Sequence, residues 1–303
     1  MGYYSASEYY TSLFGEKVYR IALDAGCTCP NRDGTKGFGG CIFCSGSGSG
    51  EFAADRNLSI EAQLSEAKAR VGAKCKSHKY IAYFQNFSNT YGDEDVLRSK
   101  YLAAVSDPEV VGIAIATRPD CISEKMFSIL TEISRATKLW IELGLQSIHE
   151  ETARWMNRGY DLDVFEKTVW QLNERRIDVI VHVILDLPVE TRAQMMETVD
   201  YCASLPIHGI KIANLNVLSG TRLYDEYIQE PFALMEMDEY ISFLGEVIEH
   251  LPESMVIYRL TGDGDKKHLV APMWVSDKRK VRNRIASVFA ALDVQQGRQC
   301  RLS

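Results

Sequence analysis

The sequence has no uninterrupted apolar run near the ~18 residues that a membrane-spanning helix needs. Its most apolar stretch, Val179 to Val189, is broken by His182 and Asp186. Prolines are few, 8 in 303 residues, and neither a repeat nor a low-complexity linker is visible. With 46% hydrophobic and 25% charged residues, disordered, collagen-like and coiled-coil chains are set aside. The opening Met1-Gly-Tyr-Tyr-Ser-Ala-Ser-Glu lacks a basic region followed by an apolar core, so a cytoplasmic protein with no membrane association is expected. Positive charge is not in excess: 34 Lys and Arg against 41 Asp and Glu leave a formal charge of −7. That balance speaks against a general nucleic-acid coat.

What the sequence does have is alternation. Strands are expected at Val18–Leu23, Tyr80–Phe84, Gly112–Ala116, Leu139–Leu143, Asp178–Leu185 and Gly209–Leu215. Helices are expected near 60–71, 93–106, 123–135, 162–175 and 190–204, with Asp161 as an N-cap. Near-continuous apolar strands read as a parallel sheet covered on both faces. Six βα units in succession fit either a doubly wound sheet or part of a barrel, and periodicity does not choose between them. The alternation lapses after about residue 225. Residues 1–225 therefore read as a core, and 226–303 as a small α/β extension packed on it. That extension should hold a helix near 235–250, a strand near 254–259 and a basic helix near 277–292.

Four of the eight cysteines, Cys27, Cys29, Cys41 and Cys44, fall within eighteen positions directly after the first strand. The Cys41-x-x-Cys44 turn brings two thiolates close enough to share a metal or cluster. Eleven residues separate Cys29 from Cys41, and Gly34, Gly37, Gly39 and Gly40 permit the return path. Three readings of the loop are open: a closed zinc site using all four thiolates, a redox pair at Cys41 and Cys44, or an iron–sulfur cluster held by three cysteines. Position favours chemistry over scaffolding, because the loop follows strand one at the rim where βα arrays place active sites.

From here the residues resemble the YhcC-like radical S-adenosylmethionine (SAM) proteins, which are similar to the radical SAM half of elongator-type tRNA-modifying enzymes. The resemblance rests on an ordered set of segments from about residue 10 to 285. These include Cys27-Thr-Cys29-Pro-Asn-Arg-Asp-Gly34, Gly39-Gly-Cys-Ile-Phe-Cys44, Thr117-Arg-Pro-Asp-Cys121, Glu142-Leu-Gly-Leu-Gln-Ser147, Asn157-Arg-Gly-Tyr160, Arg259-Leu-Thr-Gly-Asp263 and Ala271-Pro-Met-Trp274. It implies a partial (β/α)6 TIM-like radical SAM barrel. It also implies a [4Fe–4S] cluster on Cys29, Cys41 and Cys44, with SAM on the fourth iron. Reduction by a flavodoxin- or ferredoxin-type donor would cleave SAM to a 5′-deoxyadenosyl radical that abstracts hydrogen from a substrate, RNA among the candidates. The alternative is a non-catalytic zinc-loop adaptor for RNA or protein.

The chain departs from that family at Cys27, where a bulky apolar residue is usual, and at Ile184-Leu-Asp-Leu-Pro-Val-Glu190. There Asp186 and Val189 replace the glycines of a Gly-Leu-Pro-Gly-Glu turn, which puts close backbone approach to the adenine in doubt. For SAM, Asn89 and Thr90 after the second strand, Arg118, Glu142, Gln146 and Arg158 are the candidate contacts. Each has a plainer reading. Asn89-Thr90 would cap a helix anyway. Arg118 can pair with Asp120 or Glu142, and Arg158 can salt-bridge. A carboxylate in an apolar run, as at Glu142, demands a partner. His182 reads as a satisfied core residue, Cys121 as buried, and Trp274 as closing the barrel end. Lys266, Lys267, Lys278, Arg279, Lys280, Arg282 and Arg284 read as a solvated face that can double as an RNA contact.

Overall fold

The alternation of apolar runs and amphipathic helices resolves into one parallel sheet with helices outside it. The computed structural model describes residues 2–46, 48, 54–72 and 77–300; Cys75 lies outside the described residues. The chain runs through α1 (Ala6–Phe14), β1 (Tyr19–Leu23), α2 (Ile60–Gly72), β2 (Tyr80–Phe84), α3 (Glu94–Val105), β3 (Val110–Thr117), α4 (Glu124–Ala136) and β4 (Lys138–Gln146). It continues through α5 (Glu150–Trp155), α6 (Leu162–Glu174), β5 (Asp178–Leu185), α7 (Arg192–Ser204), β6 (Gly209–Asn214), β7 (Val217–Leu218), α8 (Arg222–Gln229), α9 (Met237–His250), β8 (Val256–Arg259), β9 (Leu269–Ala271) and α10 (Lys278–Ala291).

Seven strands pair in parallel in the order β1-β2-β3-β4-β5-β6-β8, and β7 and β9 form a small antiparallel pair. A doubly wound sheet reverses its strand order at a switch point. This order never reverses, so the sheet curls one way into a partial barrel. The strand expected near 254–259 is β8. The segment after residue 225 therefore completes the main sheet as its seventh strand.

Side-chain alternation sorts the strands into an outer face against the helices and an inner face toward the barrel. Outside, Phe127, Leu130, Phe165, Val169, Tyr240 and Phe243 belong to the main core cluster. Inside, the lower layer is Ile81, Ala114, Trp140 and Ile180, plugged by Tyr10 of α1. Gly112 makes room for this layer, since a Cβ there would stand 2.7 Å from the Trp140 ring. Two residues further along their strands come Tyr83, Glu142 and His182, and this second layer is polar.

Helix α1 was not among the expected elements, although its start signal is written in the sequence. Ser5 and Glu8 form a capping box, and Gly15 ends the helix in the left-handed region at φ +75°. Asp161 does precede α6, but its side chain makes no capping hydrogen bond.

Candidate active site

The chain is pinned on leaving β1. Asp24 N–H donates to Gln63 Oε1 (2.9 Å), Gln63 Nε2 donates back to the Asp24 carbonyl (3.0 Å), and the Asp24 carboxylate accepts from Asn86 Nδ2 (2.6 Å). The cysteine loop then folds on itself through Arg32 N–H to the Cys29 carbonyl (2.8 Å) and Cys44 N–H to the Cys41 carbonyl (3.0 Å). A second anchor comes from the Asn157-Arg-Gly-Tyr160 segment. Asn157 Nδ2 donates to the Gly40 carbonyl (2.8 Å), and Asn31 Nδ2 donates to the Asn157 carbonyl. Gly40 needs to be glycine here: its φ is +79°, and a Cβ would stand 2.8 Å from Arg32 Nε. Arg32 donates to the carbonyls of Cys44 (3.1 Å) and Ser45.

These anchors bring Cys29, Cys41 and Cys44 to one cavity of about 310 Å³ at the C-terminal ends of the strands. A hydrogen bond from the Cys41 thiol, aided by nearby Arg32, holds the Cys44 thiol below its ordinary pKa. Cys27 is not with them. It is buried in the outer core and lines a separate crevice with Thr90 and Cys121; burial pushes its thiol up to about 11. Cys121 faces the same crevice, its thiol pushed up to about 12 by burial and by Asp120. Among the described residues no three His, Cys, Asp or Glu close on a single ion. Three soft thiols around one cavity, with the fourth turned away, fit a group larger than one ion and held at three corners. They do not fit a closed four-thiolate zinc site.

Below the thiols, the polar layer centres on Glu142. Its buried carboxylate accepts from Tyr83 Oη (2.8 Å) and His182 Nε2 (2.9 Å), and from Arg20 and Lys211. Burial alone would raise its pKa, but Arg20, Lys211 and His182 outweigh that and hold it well below the carboxylate range. Burial lowers His182 to about 4, so its ring is neutral. Burial, with Arg20 adding to it, brings Lys211 down to about 7.

Of the six residues put forward for SAM, Arg118, Glu142, Gln146 and Arg158 line the cavity. Arg118 forks onto Asp120 (2.9 Å for both bonds) and donates to the Arg158 carbonyl (2.7 Å). Arg158 donates to the carbonyls of Tyr160 (3.0 Å), Leu145 (3.2 Å) and Ser147 (2.7 Å), and to Glu150 (3.2 Å). Gln146 ends β4 on a bulge at φ +70°. Asn89 and Thr90 do not reach the cavity. Asn89 donates to the carbonyls of Asn86 (2.9 Å) and Ala116 (3.0 Å), and Thr90 Oγ1 to that of Cys121 (2.7 Å), tying the end of β2 to β3.

The unusual Asp186 takes the left-handed backbone at φ +66°, which Asp tolerates better than most residues. Its carboxylate turns to the Met235 N–H (2.9 Å) and is absent from the cavity lining; burial raises its pKa to about 7. Val189 is exposed. Trp274 donates to the Met235 carbonyl (3.0 Å) and packs on Tyr240. In the basic region, Lys278 pairs with Asp263 and Arg284 with Asp238, both at 2.7 Å.

A family model described as the Radical SAM superfamily matches residues 29–202, starting at Cys29 itself, and the Radical SAM C-terminal domain model matches residues 207–290. The chain belongs to the radical SAM superfamily. Among its relatives, YtqA of Bacillus subtilis (strain 168) is 41% identical over 279 residues, 92% of this chain and 87% of that one. YhcC of Escherichia coli (strain K12) is 32% identical, over 88% of this chain and 86% of that one. The solved structure of Elp3 from Methanocaldococcus infernus superposes with a TM-score of 0.71 at 16% identity, covering 92% of this chain and 64% of that chain. That likeness is one of fold. No helix among the described residues is long and apolar enough to cross a membrane.

Sequence reasoning missed Arg20, Tyr83, Lys211 and Arg259 on the inner face, and the Asn31–Asn157 latch. A signal for the first group was present, since Arg20 and Lys211 are charges inside short apolar strand runs.

Proposed function

We propose that this radical SAM enzyme holds a [4Fe–4S] cluster on Cys29, Cys41 and Cys44. It uses reduced cluster and SAM to abstract a hydrogen atom from a substrate. When bound, those two cofactors supply the electron and the 5′-deoxyadenosyl radical. The observation that carries this reading is the grouping of three thiols on one cavity, with Cys27 facing another. The chain's own part is placement and dryness. The Asn31–Asn157 latch fixes the loop, Arg118 and Arg158 brace the rim through backbone carbonyls, and Asn89 and Thr90 brace β2 against β3. Gln146 offers its amide to the SAM site from the end of β4, and Glu142 orders the cavity floor. Phe43, Val183, Ile184, Leu215 and Leu218 line the cavity with apolar surface that keeps water from a reactive species.

Anaerobic reconstitution with iron and sulfide should give a brown protein that releases 5′-deoxyadenosine on reduction, with a flavodoxin or ferredoxin as the natural donor. Cys29→Ala, Cys41→Ala and Cys44→Ala should each abolish both properties, and Cys27→Ala neither. Stoichiometric zinc that needs Cys27, with no SAM cleavage, would overturn the reading. An RNA substrate is tested by mass spectrometry of modified nucleosides from cells lacking the protein. The exposed Arg279, Lys280 and Arg282 of α10 are the residues that would track its backbone.

A further inference from the structure

Nearly every charged group lining the cavity has a partner. Arg118 has Asp120, Arg158 has three carbonyls and Glu150, and Arg32 has the carbonyls of Cys44 and Ser45. Glu142 has four donors, and Asp263 has Lys278. Arg259 is the exception. It has no hydrogen-bond or ion-pair partner among the described residues, and its Nε is buried. It lines the cavity from β8, in register with Lys211 of β6. Across the barrel, Arg20 is the other guanidinium of this layer, and its Nε is also buried without a partner.

The layer thus holds Arg20, Lys211 and Arg259 around a single carboxylate that already accepts from four donors, none of them Arg259. Arg259 is half-buried, with only its Nε shut off from water, so its guanidinium keeps donors free for a group that brings the missing negative charge. From this juxtaposition we propose that Arg259, supported by Lys211, is the receptor for an oxyanion, a carboxylate or phosphate, carried by the substrate of the reaction above. The guanidinium fork matches both groups through paired N–H bonds. The site lies on β8, across the sheet from the cysteine loop that follows β1, so the anion would fix the far end of a substrate whose reacting carbon faces SAM. This inference rests on the radical SAM reading for the word substrate, but not for the anion site itself.

The test uses the reconstituted protein and its Arg259→Gln and Arg259→Lys variants, with inorganic phosphate and acetate as probes at matched ionic strength. Thermal unfolding without added anion comes first. Removing an unpaired, half-buried cation should leave the midpoint unchanged or raise it, whereas a fall of more than about 5 °C in Arg259→Gln would make Arg259 a structural residue and sink the proposal. Phosphate or acetate should raise the wild-type midpoint by about 2 °C at ten times its dissociation constant. Affinity should fall at least about tenfold in Arg259→Gln, and less in Arg259→Lys, because a charged hydrogen bond is lost. The anion giving the larger shift identifies the chemistry, and equal shifts in wild type and Arg259→Gln overturn the site. Loss of substrate-free SAM cleavage in Arg259→Gln with cluster content intact would assign Arg259 to SAM's own carboxylate and overturn the site. Absence of SAM cleavage in the wild type would defeat the enzymatic reading and leave the anion result to be judged separately.

Discussion

The two flanks of the barrel treat their polar groups differently. On the flank from β1 to β4, the charges that line the cavity end on protein, Arg118 on Asp120 and Arg158 on carbonyls, while the amides of Asn89 and Asn157 and the hydroxyl of Thr90 tie neighbouring segments together. On the flank from β5 to β8, His182 is neutral, Lys211 is suppressed, and Arg259 has no partner among the described residues. The first flank is built as a holder, with its cavity-lining charges paired before any ligand arrives. The second is left open, as a surface that must meet a variable molecule. Satisfied groups give rigidity, and unsatisfied ones give the capacity to bind.

Stability measurements can break that contrast. The largest effect is expected at Arg158, where Arg158→Met should cost about 3–5 kcal/mol in urea unfolding, because several carbonyls and Glu150 lose a buried partner. Arg158→Lys should not restore it, since an ammonium cannot reproduce the fork. If Arg259→Gln proved as damaging, the distinction between the flanks would be lost.

Next comes Glu142→Gln, at about 3 kcal/mol near neutral pH, because Arg20 and Lys211 would face each other unscreened. Glu142 titrates lower when folded than unfolded, so its contribution is present above the unfolded value near 4.3 and fades as pH falls through the folded one. The gap between wild type and variant, followed by thermal unfolding, should close on acidification.

Asn157→Ala opens the latch and should cost about 1–2 kcal/mol. Cluster yield on reconstitution should fall while the far-ultraviolet circular dichroism stays native.

The smallest effect sharpens the comparison from the open flank. Asp186 titrates near 7 when folded and near 3.9 when unfolded, so the wild type loses stability as pH rises between those values and stays low above them. Asp186→Asn keeps an acceptor for Met235 and tolerates the left-handed backbone. It should gain roughly 1 kcal/mol at pH 8 and nothing below about pH 4.

The holder was largely legible in the sequence, and the open flank was not. The cluster of Cys27, Cys29, Cys41 and Cys44 stood out because ligand spacing is local, and the family resemblance selected three of the four. The strands stood out because burial on both faces leaves continuous apolar runs. Strand order came only with the structure, since periodicity carries no information on whether a sheet reverses. Arg158 was noticed, but its partners, carbonyls eleven and thirteen residues back, follow from a chain path that no pattern encodes. Arg259 was quoted only as part of a segment. Its significance lies in lacking a partner, which is a property of the assembled barrel. The polar second layer arises from single charges on different strands, each unremarked alone and brought level by register.

Residues 2–5 run alongside β8, with Ile257 N–H donating to the Tyr4 carbonyl (2.8 Å) and Gln296 tied to both Gly2 and Tyr4 (2.7 Å each). An unclosed barrel leaves a raw margin of amide and carbonyl groups that invites another chain to add itself. Here that margin is capped by the molecule's own backbone, in the manner of a hem. Cutting those few residues away would bare the β8 seam to any strand able to pair with it.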